Sequence, residues 1–421
     1  MIFILLTFLT AFLTWYFWAV GRRPKNFPPG PPGIPIFGNA LQLGKYNYKT
    51  VLAFREKYGD IIGLRMGTHW TVYLNNPDDI REAFSKPEFS GRTGFHMLMD
   101  TTVEELNSGL AFSHGERYEH DDPQMQDLMQ ILDEFFDSIM KGIRPFYFIF
   151  PGLLRFKKIL SFVSGDTSDK FRKRLFEFFG KVIEEHRRTM QVGQPRDFID
   201  ALLEESGKLR DFQEIDLYTT LMDLFIGGTE TTSTTLVWSF FFLAQHPETQ
   251  EKLANEILTV VGNRDVMLSD KLRLPYVEAT ILEIMRLSHI APNAAPHAVT
   301  QDLIFKGFYL PKNTVVLPNF YAGLMSTEIW GDPDNFRPER FLTPDGKSLV
   351  RNKAWMPFGV GKRSCLGESL ARDEIFLFLT NLVQQVRVSM PDDEPLHSFE
   401  GILNGGTLTP EPHRIIFNNR I

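Results

Sequence analysis

The chain of 421 residues carries 45 Lys and Arg against 52 Asp and Glu, a net charge of −7, which gives no electrostatic reason to expect a nucleic-acid partner. Its single cysteine excludes an internal disulfide framework and suits a reducing compartment. The 38 phenylalanines ask for a large apolar interior.

Residues 1–20 carry no charge and are almost wholly apolar, long enough for a transmembrane helix that serves as an anchor. Arg22, Arg23 and Lys25 follow at once, so the positive-inside rule places the rest of the chain in the cytosol. Trp15, Tyr16 and Trp18 stand where an interfacial aromatic belt belongs. A secretory signal is the weaker reading, because no basic n-region precedes the apolar run and no small-residue cleavage site follows it. Residues 21–39 are basic and then proline-rich, and Phe27 to Asn39 cannot be helical, so this stretch reads as a semi-rigid hinge. An SH3-type ligand would need a basic residue inside the proline run, and none is there. Residues 40–421 exceed a usual single core, yet no repeat and no Ser-, Gly- or charge-rich linker interrupts them, so one large domain is expected.

Helical periodicity runs from Tyr48 to Tyr58 and stops at Gly59. Ile61 to Leu74 alternates around a Gly-Thr-His turn as a hairpin does, and Asn76-Pro77 caps a helix reaching about Phe84. Leu128 to Ile143 and Asp169 to Met190 are amphipathic helix candidates. Between them Pro145 to Pro151 is aromatic and bracketed by prolines; it reads either as a lid over an apolar pocket that touches the membrane surface or as a core loop.

A long apolar helix is expected from about Ile215 to Gln245, with Gly227-Gly228-Thr229-Glu230-Thr231-Thr232 inside it. Two glycines in a helix cost roughly 1 kcal/mol each relative to Ala, so they need a reason. One is a kink at a helix contact. The other is a groove where a planar cofactor and a diatomic ligand lie close, with a Thr hydroxyl bonded back to an i−4 carbonyl and with Glu230 and Thr231 supplying an acid and a hydroxyl for proton delivery. His246-Pro247 ends this helix and opens another. Pro275 to Leu287 is a further helix, whose Glu283 and Arg286 share a face as an i, i+3 pair. A broken β run follows His297, from Val299 to Leu317.

The only thiol stands in Pro357-Phe358-Gly359-Val360-Gly361-Lys362-Arg363-Ser364-Cys365-Leu366-Gly367. Glycines allow close approach to a flat object, while Lys362, Arg363 and a helix expected from Leu366 favour thiolate over thiol. A thiolate on such a turn suits axial ligation of haem iron, with packing as the bland alternative.

Phe358, Gly361, Arg363, Cys365 and Gly367 match the haem-binding signature of the cytochrome P450 family, and the chain resembles that family over nearly its full length. The resemblance implies a mainly α fold with a small β portion, a single large domain behind an N-terminal transmembrane helix. It implies heme held by Cys365 as metal ligand, with Arg363, His297, Phe358, Gly359, Gly361, Gly367 and Gly228 around the cofactor. Glu230 and Thr231 are then the catalytic pair of the oxygen-activation motif. Glu283, Arg286 and Arg340, the last from Pro338-Glu339-Arg340-Phe341, form a buried structural lock. The implied enzyme is a monooxygenase that hydroxylates or epoxidises a lipophilic small molecule (steroid, fatty acid, terpenoid or xenobiotic). It uses O2 and electrons from an NADPH-dependent flavoprotein reductase, and it sits on the endoplasmic reticulum membrane, against membrane lipid, with its catalytic domain facing the cytosol. One departure stands out. Where the family carries a Trp and an Arg toward the haem propionates, Tyr118 and Asp122 occur, and a block of two or three helices is missing near Gly115 to Tyr118. The rival reading is therefore a membrane-anchored, catalytically silent isoform unable to hold haem; a reductase-independent isomerase or peroxide-driven enzyme fits less well, because Glu230 and Thr231 are retained.

Overall fold

The expected helix over Tyr48 to Tyr58 is α1 (Asn47–Tyr58), which stops at Gly59. Strands β1 (Ile61–Met66) and β2 (His69–Leu74) pair antiparallel, Ile61 opposite Leu74 and Met66 opposite His69. Asn76 caps α2 (Pro77–Ser85), its Oδ1 accepting from the N–H of Asp78 at 2.8 Å, with Pro77 preset for the first turn. These elements belong to a computed structural model that describes residues 22–92, 168–208, 212–395, 398–404 and 406–420, together with Thr10 and short runs between 123 and 160. The anchor expected over 1–20, the junction near Gly115 to Tyr118, Asp122 and most of the helix expected over Leu128 to Ile143 lie outside these residues. Among the described residues, no helix is long and apolar enough to cross a membrane.

The β portion is small because its pieces are short. Strand β3 (Gly91–Arg92), β4 (His297–Ala298) and β7 (Val315–Pro318) complete a five-stranded sheet of order β1-β2-β7-β4-β3, in which β2 and β7 run parallel. The register sets Arg92 opposite His297. The rest of the broken run is a hairpin, β5 (Leu303–Phe305) with β6 (Phe308–Leu310).

Helices make up the other layer: α3 (Ser168–Thr189), α4 (Phe198–Ser206), α5 (Glu214–Gln245), α6 (Pro247–Val260), α7 (Pro275–Ser288) and α8 (Glu368–Gln385). With 32 residues α5 is about 48 Å long. Its C-terminal half carries the main core: Trp238 and Phe242 stack at 5.1 Å, and Phe242 stacks on Phe336 at 5.1 Å. Each such fully buried ring contributes roughly 1.5–3 kcal/mol relative to exposure. The N-terminal half packs Leu217, Leu221 and Met222 against Leu175, Phe179 and Ile183 of α3 and Ile199 of α4. His186 ties α3 to α4: Nδ1 donates to the carbonyl of Val182 at 2.8 Å and Nε2 meets Asp197 Oδ2 at 2.9 Å. Asp197 in turn caps α4 through the N–H of Asp200.

Every residue of α7 from Val277 to Ser288 is buried, so its charges must be met inside the protein. The aromatic segment expected between Pro145 and Pro151 is described at Tyr147, Ile149, Phe150 and Pro151. Ile149 and Phe150 rest on Gly67 at the hairpin tip, and Phe150 meets Phe37 of the proline-rich stretch edge-on at 5.7 Å. Tyr147, Ile149 and Phe150 do not line the cavity between α5 and the thiol loop.

Candidate active site

A cavity of about 340 Å³ opens between α5, the end of α7, the sheet edge at β4 and the loop before α8, a size ordinary for small-molecule sites. Its wall on α5 contains Gly227, Gly228 and Thr231, and the facing loop contributes Phe358, Gly359, Arg363, Cys365 and Gly367. More than a hundred residues of sequence separate these two walls, so the fold alone brings them together.

The thiol loop is held by backbone geometry. The N–H of Cys365 donates to the carbonyl of Phe358 at 2.8 Å, closing the turn, and Arg363 Nε donates to the carbonyl of Ser90 at 3.2 Å. Gly361 has φ +83°, and a Cβ there would sit 2.0 Å from the backbone oxygen of Phe84. Only glycine fits, and this close approach docks the loop on the end of α2. Gly359 likewise has φ +75°. Gly367 has room for a Cβ, and its place is the residue from which α8 departs.

Cys365 faces the cavity; part of the residue is exposed, while the sulfur itself is largely enclosed. Burial therefore pushes the thiol up, against the weaker pull of the N–H groups of Gly367 and Glu368. This corrects the expectation that Lys362 and Arg363 favour the thiolate: Lys362 is exposed, and neither cation contributes to the shift. The helix also begins at Glu368 rather than at Leu366. A metal bound at this sulfur would itself favour loss of the proton, as is general for thiolate ligands.

On α5 the expected back-bonding is present. Thr231 Oγ1 donates to the carbonyl of Gly227 at 2.7 Å, and Thr235 repeats the pattern on the carbonyl of Thr231 at 2.8 Å. Glu230 lies half-buried one step round the helix, outside the cavity lining, where its Oε1 accepts from Thr234 Oγ1 at 3.4 Å.

At the sheet edge His297 is buried, stacked on Phe84 at 4.1 Å, with Nδ1 donating to the carbonyl of Phe89 at 2.8 Å. Burial, Arg92 and Arg363 together push its imidazole down to about 4. No sequence pattern signals Arg92; β-pairing puts it opposite His297, and it donates to the carbonyl of Ala295 at 3.0 Å. Burial, with Arg363 beside it, pushes its guanidinium down to about 10. Since Nδ1 is occupied by Phe89, Nε2 of His297 donates only from the imidazolium, which two guanidiniums oppose and a carboxylate would support. Two guanidiniums and an imidazole that an anion would help to charge, gathered at the cavity edge, are matched to an anionic ligand. A planar cofactor carrying carboxylates and a metal that takes a thiolate fits this donor set.

Behind the site, Glu283 and Arg286 are fully buried and joined by two hydrogen bonds, Nε to Oε2 at 2.7 Å and Nη2 to Oε1 at 2.9 Å. Arg340 Nε donates to Glu283 Oε1 at 2.9 Å. Other donors of both arginines reach the segment before the thiol loop: Arg286 the carbonyls of Leu324 at 2.9 Å and Pro333 at 2.7 Å, and Arg340 the carbonyls of Asp332 at 3.1 Å and Asn335 at 3.0 Å and the Asp332 carboxylate at 3.1 Å. Both guanidiniums also lie over the Trp330 ring, at 5.4 and 5.9 Å.

Fold and site together define a mainly helical protein with one thiol facing a cavity able to take a planar, anionic cofactor. The cytochrome P450 family model matches residues 28–121 and 113–417, and the chain belongs to this family. Rat cytochrome P450 2B2 (Rattus norvegicus) is 32% identical over 494 aligned residues, covering 100% of this chain and 99% of the relative. Mouse cytochrome P450 2B19 (Mus musculus) is 31% identical over 495, with 99% of each covered, and dog cytochrome P450 1A1 (Canis lupus familiaris) is 30% identical over 462, covering 88% of this chain and 86% of the relative. Members bind haem through a cysteine thiolate and are monooxygenases, which sets the enzyme class and cofactor of this chain. The 494 positions aligned with the rat protein exceed the 421 residues of this chain by 73, and the two stretches of the family model meet at residues 113–121.

Proposed function

We propose that the protein inserts one atom of O2 into a lipophilic small molecule, the other leaving as water with two electrons and two protons, and that Cys365 would hold the haem that supplies this chemistry. Bound haem supplies the oxygen chemistry, and the protein positions, tunes and shields it. The observation that carries this reading is the arrangement of a lone thiol and the Gly227-Gly228-Thr231 face on two walls of one cavity, with Arg92, His297 and Arg363 gathered at its edge. Cys365 is the chain's only cysteine, so no other residue can serve as the family's thiolate. Arg363, His297 and Arg92 hold the cofactor's carboxylates, and binding of those anions raises the His297 imidazole from its depressed value. Phe358, Gly359, Gly361 and Gly367 shape the loop, and Gly228 keeps the opposite wall flat. Thr231 Oγ1, whose proton is engaged by Gly227, accepts a further hydrogen bond from the cavity side, and Glu230 on the next position is the acid that replenishes it. Glu283, Arg286 and Arg340 lock the segment leading to the thiol loop.

Electrons come from an NADPH-dependent flavoprotein reductase. Residues 1–20 anchor the chain in the endoplasmic reticulum membrane, 21–39 form the hinge, and 40–421 the haem domain facing the cytosol. The exposed Ile34, Ile36, Leu41, Phe156 and Ile159 suit contact with membrane lipid. We infer an internal deletion near 115–118, supported by the 73 surplus positions and by the break in the family match at 113–121.

The test is the carbon monoxide spectrum of the purified, dithionite-reduced protein. A red-shifted Soret band of thiolate-ligated haem is expected. A chain that takes up no haem, or a band of neutral-thiol or histidine ligation, removes the reading and restores the silent-isoform alternative.

A further inference from the structure

Helices α5 and α8 pack on one another, and each turns an uncharged stripe to solvent. From Phe225 to Gln245, α5 carries one charged residue, Glu230, and α8 carries none from Ile375 to Gln385. A helix apolar around its whole circumference belongs in an interior. Yet Ser233 and Val237 of α5 and Phe378 and Leu382 of α8 are exposed, the last three at 45%, 56% and 39%. Phe240, one turn beyond Val237, is half-buried against Phe417 at 5.7 Å, and Phe417 is itself exposed.

The two helices run side by side in one direction. The middle of α5 and the start of α8 line the cavity together, at Gly228 and Ala371. Their C-terminal ends meet at Gln250, whose Nε2 donates to the carbonyl of Leu243 at 3.1 Å and to that of Val388 at 2.9 Å, in the strand β8 (Val386–Ser389) that follows α8. Two such neighbours, each with an uncharged outer stripe, are half of a four-helix bundle. We propose that a second copy of this chain supplies the other half, through a two-fold axis that lies across the helices and sets α5 over α5 and α8 over α8, each pair antiparallel. Charge fixes the direction. Glu374 stands at the start of the α8 stripe, and Arg387 lies just beyond its end, exposed and only 3.5 Å from Glu251. The antiparallel arrangement brings Glu374 to the partner's Arg387 at both ends; a parallel one would stack α5 on α8 and set Glu374 against Glu230. A lipid surface would gain nothing from this polarity. The face is about 25 Å long and two helices wide, on the order of 500 Å² in projection. Accessible area exceeds projection, which brings the face toward the roughly 800 Å² per partner of a standard interface, and a two-fold contact needs only this one self-complementary patch. The proposal does not depend on the monooxygenase reading.

Cys365 is the only cysteine, so an introduced one reports on its own position. In the full-length protein as purified, Val237→Cys lies beside the axis and is expected to form a disulfide-linked dimer under mild copper-phenanthroline oxidation. Ala244→Cys stands seven residues on, about 10 Å, so its mate is about 21 Å away, beyond the ~7 Å between Cα atoms that a disulfide spans, and no dimer above that of the parent chain is expected. Linking of both, or of neither, overturns the proposal, as does a Val192→Cys control on an exposed loop that links as readily as Val237→Cys. Sedimentation velocity of the parent should show a particle of two chains. Phe378→Glu combined with Leu382→Glu, which alters exposed residues only and should leave the circular dichroism spectrum unchanged, weakens association by roughly a hundredfold or more. A parent chain that sediments as a monomer overturns the proposal, and so does a dimer that survives the double variant, as one held by residues 1–20 would.

Discussion

Replacing Glu283 tests the lock behind the thiol loop most directly. Its carboxylate accepts from Arg286 Nε and Nη2, Arg340 Nε and the backbone N–H of Arg337, at 2.7 to 2.9 Å. Glu283→Ala removes all four acceptor contacts and leaves the fully buried Arg286 without a countercharge, while Arg340, 4% exposed in its side chain, keeps only Asp332 Oδ1 at 3.1 Å. Breaking one partner of a buried pair costs about 3–5 kcal/mol. Glu283→Gln keeps the shape and one oxygen, but its amide nitrogen faces a guanidinium donor; a loss of about 1.5–3 kcal/mol follows from the value of hydrogen bonds to charged groups. Unfolding entropy of about 2.1 cal/mol/K per residue makes each kcal/mol worth roughly 1 °C in a chain this long. Thermal unfolding followed by circular dichroism should therefore fall by roughly 3–6 °C in Glu283→Ala and by less in Glu283→Gln, with haem release following the same order. If Glu283→Ala melts within 1 °C of the wild type and retains its haem, the network does not hold the loop.

Gly361→Ala must place its Cβ 2.0 Å from the carbonyl oxygen of Phe84 at φ +83°. The positive φ alone costs about 1–2 kcal/mol, so the variant should lose haem during gel filtration; full retention would mean that the loop is not docked on α2 as described. Thr231→Val preserves shape and removes Oγ1. It should keep the carbon monoxide band while product formed per NADPH consumed falls roughly a hundredfold, within the range for a lost proton-transfer group, and unchanged coupling would remove Thr231 from the relay. His289 is buried, with Nδ1 donating to the carbonyl of Leu287 at 2.6 Å, and burial holds its imidazole down at about 4. The unfolded chain binds that proton near pH 6.5, so the neutral imidazole's contribution is complete above pH 6.5 and is lost as the pH falls toward 4. Urea unfolding should therefore lose on the order of 3 kcal/mol more in the wild type than in His289→Gln across that interval; parallel pH curves would contradict it.

Short-range chemistry makes much of this protein legible in its amino-acid sequence. The cap at Asn76, the proline starts at Pro77, Pro247 and Pro275 and the period of α5 depend on residues within a turn or two of one another, and each element falls within a residue or two of its expected bounds. The thiol loop is legible for the same reason, since its glycines, arginine and cysteine lie within nine consecutive positions. Tertiary structure decides what local spacing cannot encode. Arg92 reaches the cavity because β3 pairs with β4, more than two hundred residues away. Asp223 looks like any acid on a helix until the cavity closes over it. The charge on Cys365 does not follow from its cationic neighbours, because a titration depends on how much solvent surrounds the sulfur and on where adjacent side chains point. Enclosure is a property of the whole fold; caps, turns and periodicity are properties of a few consecutive residues.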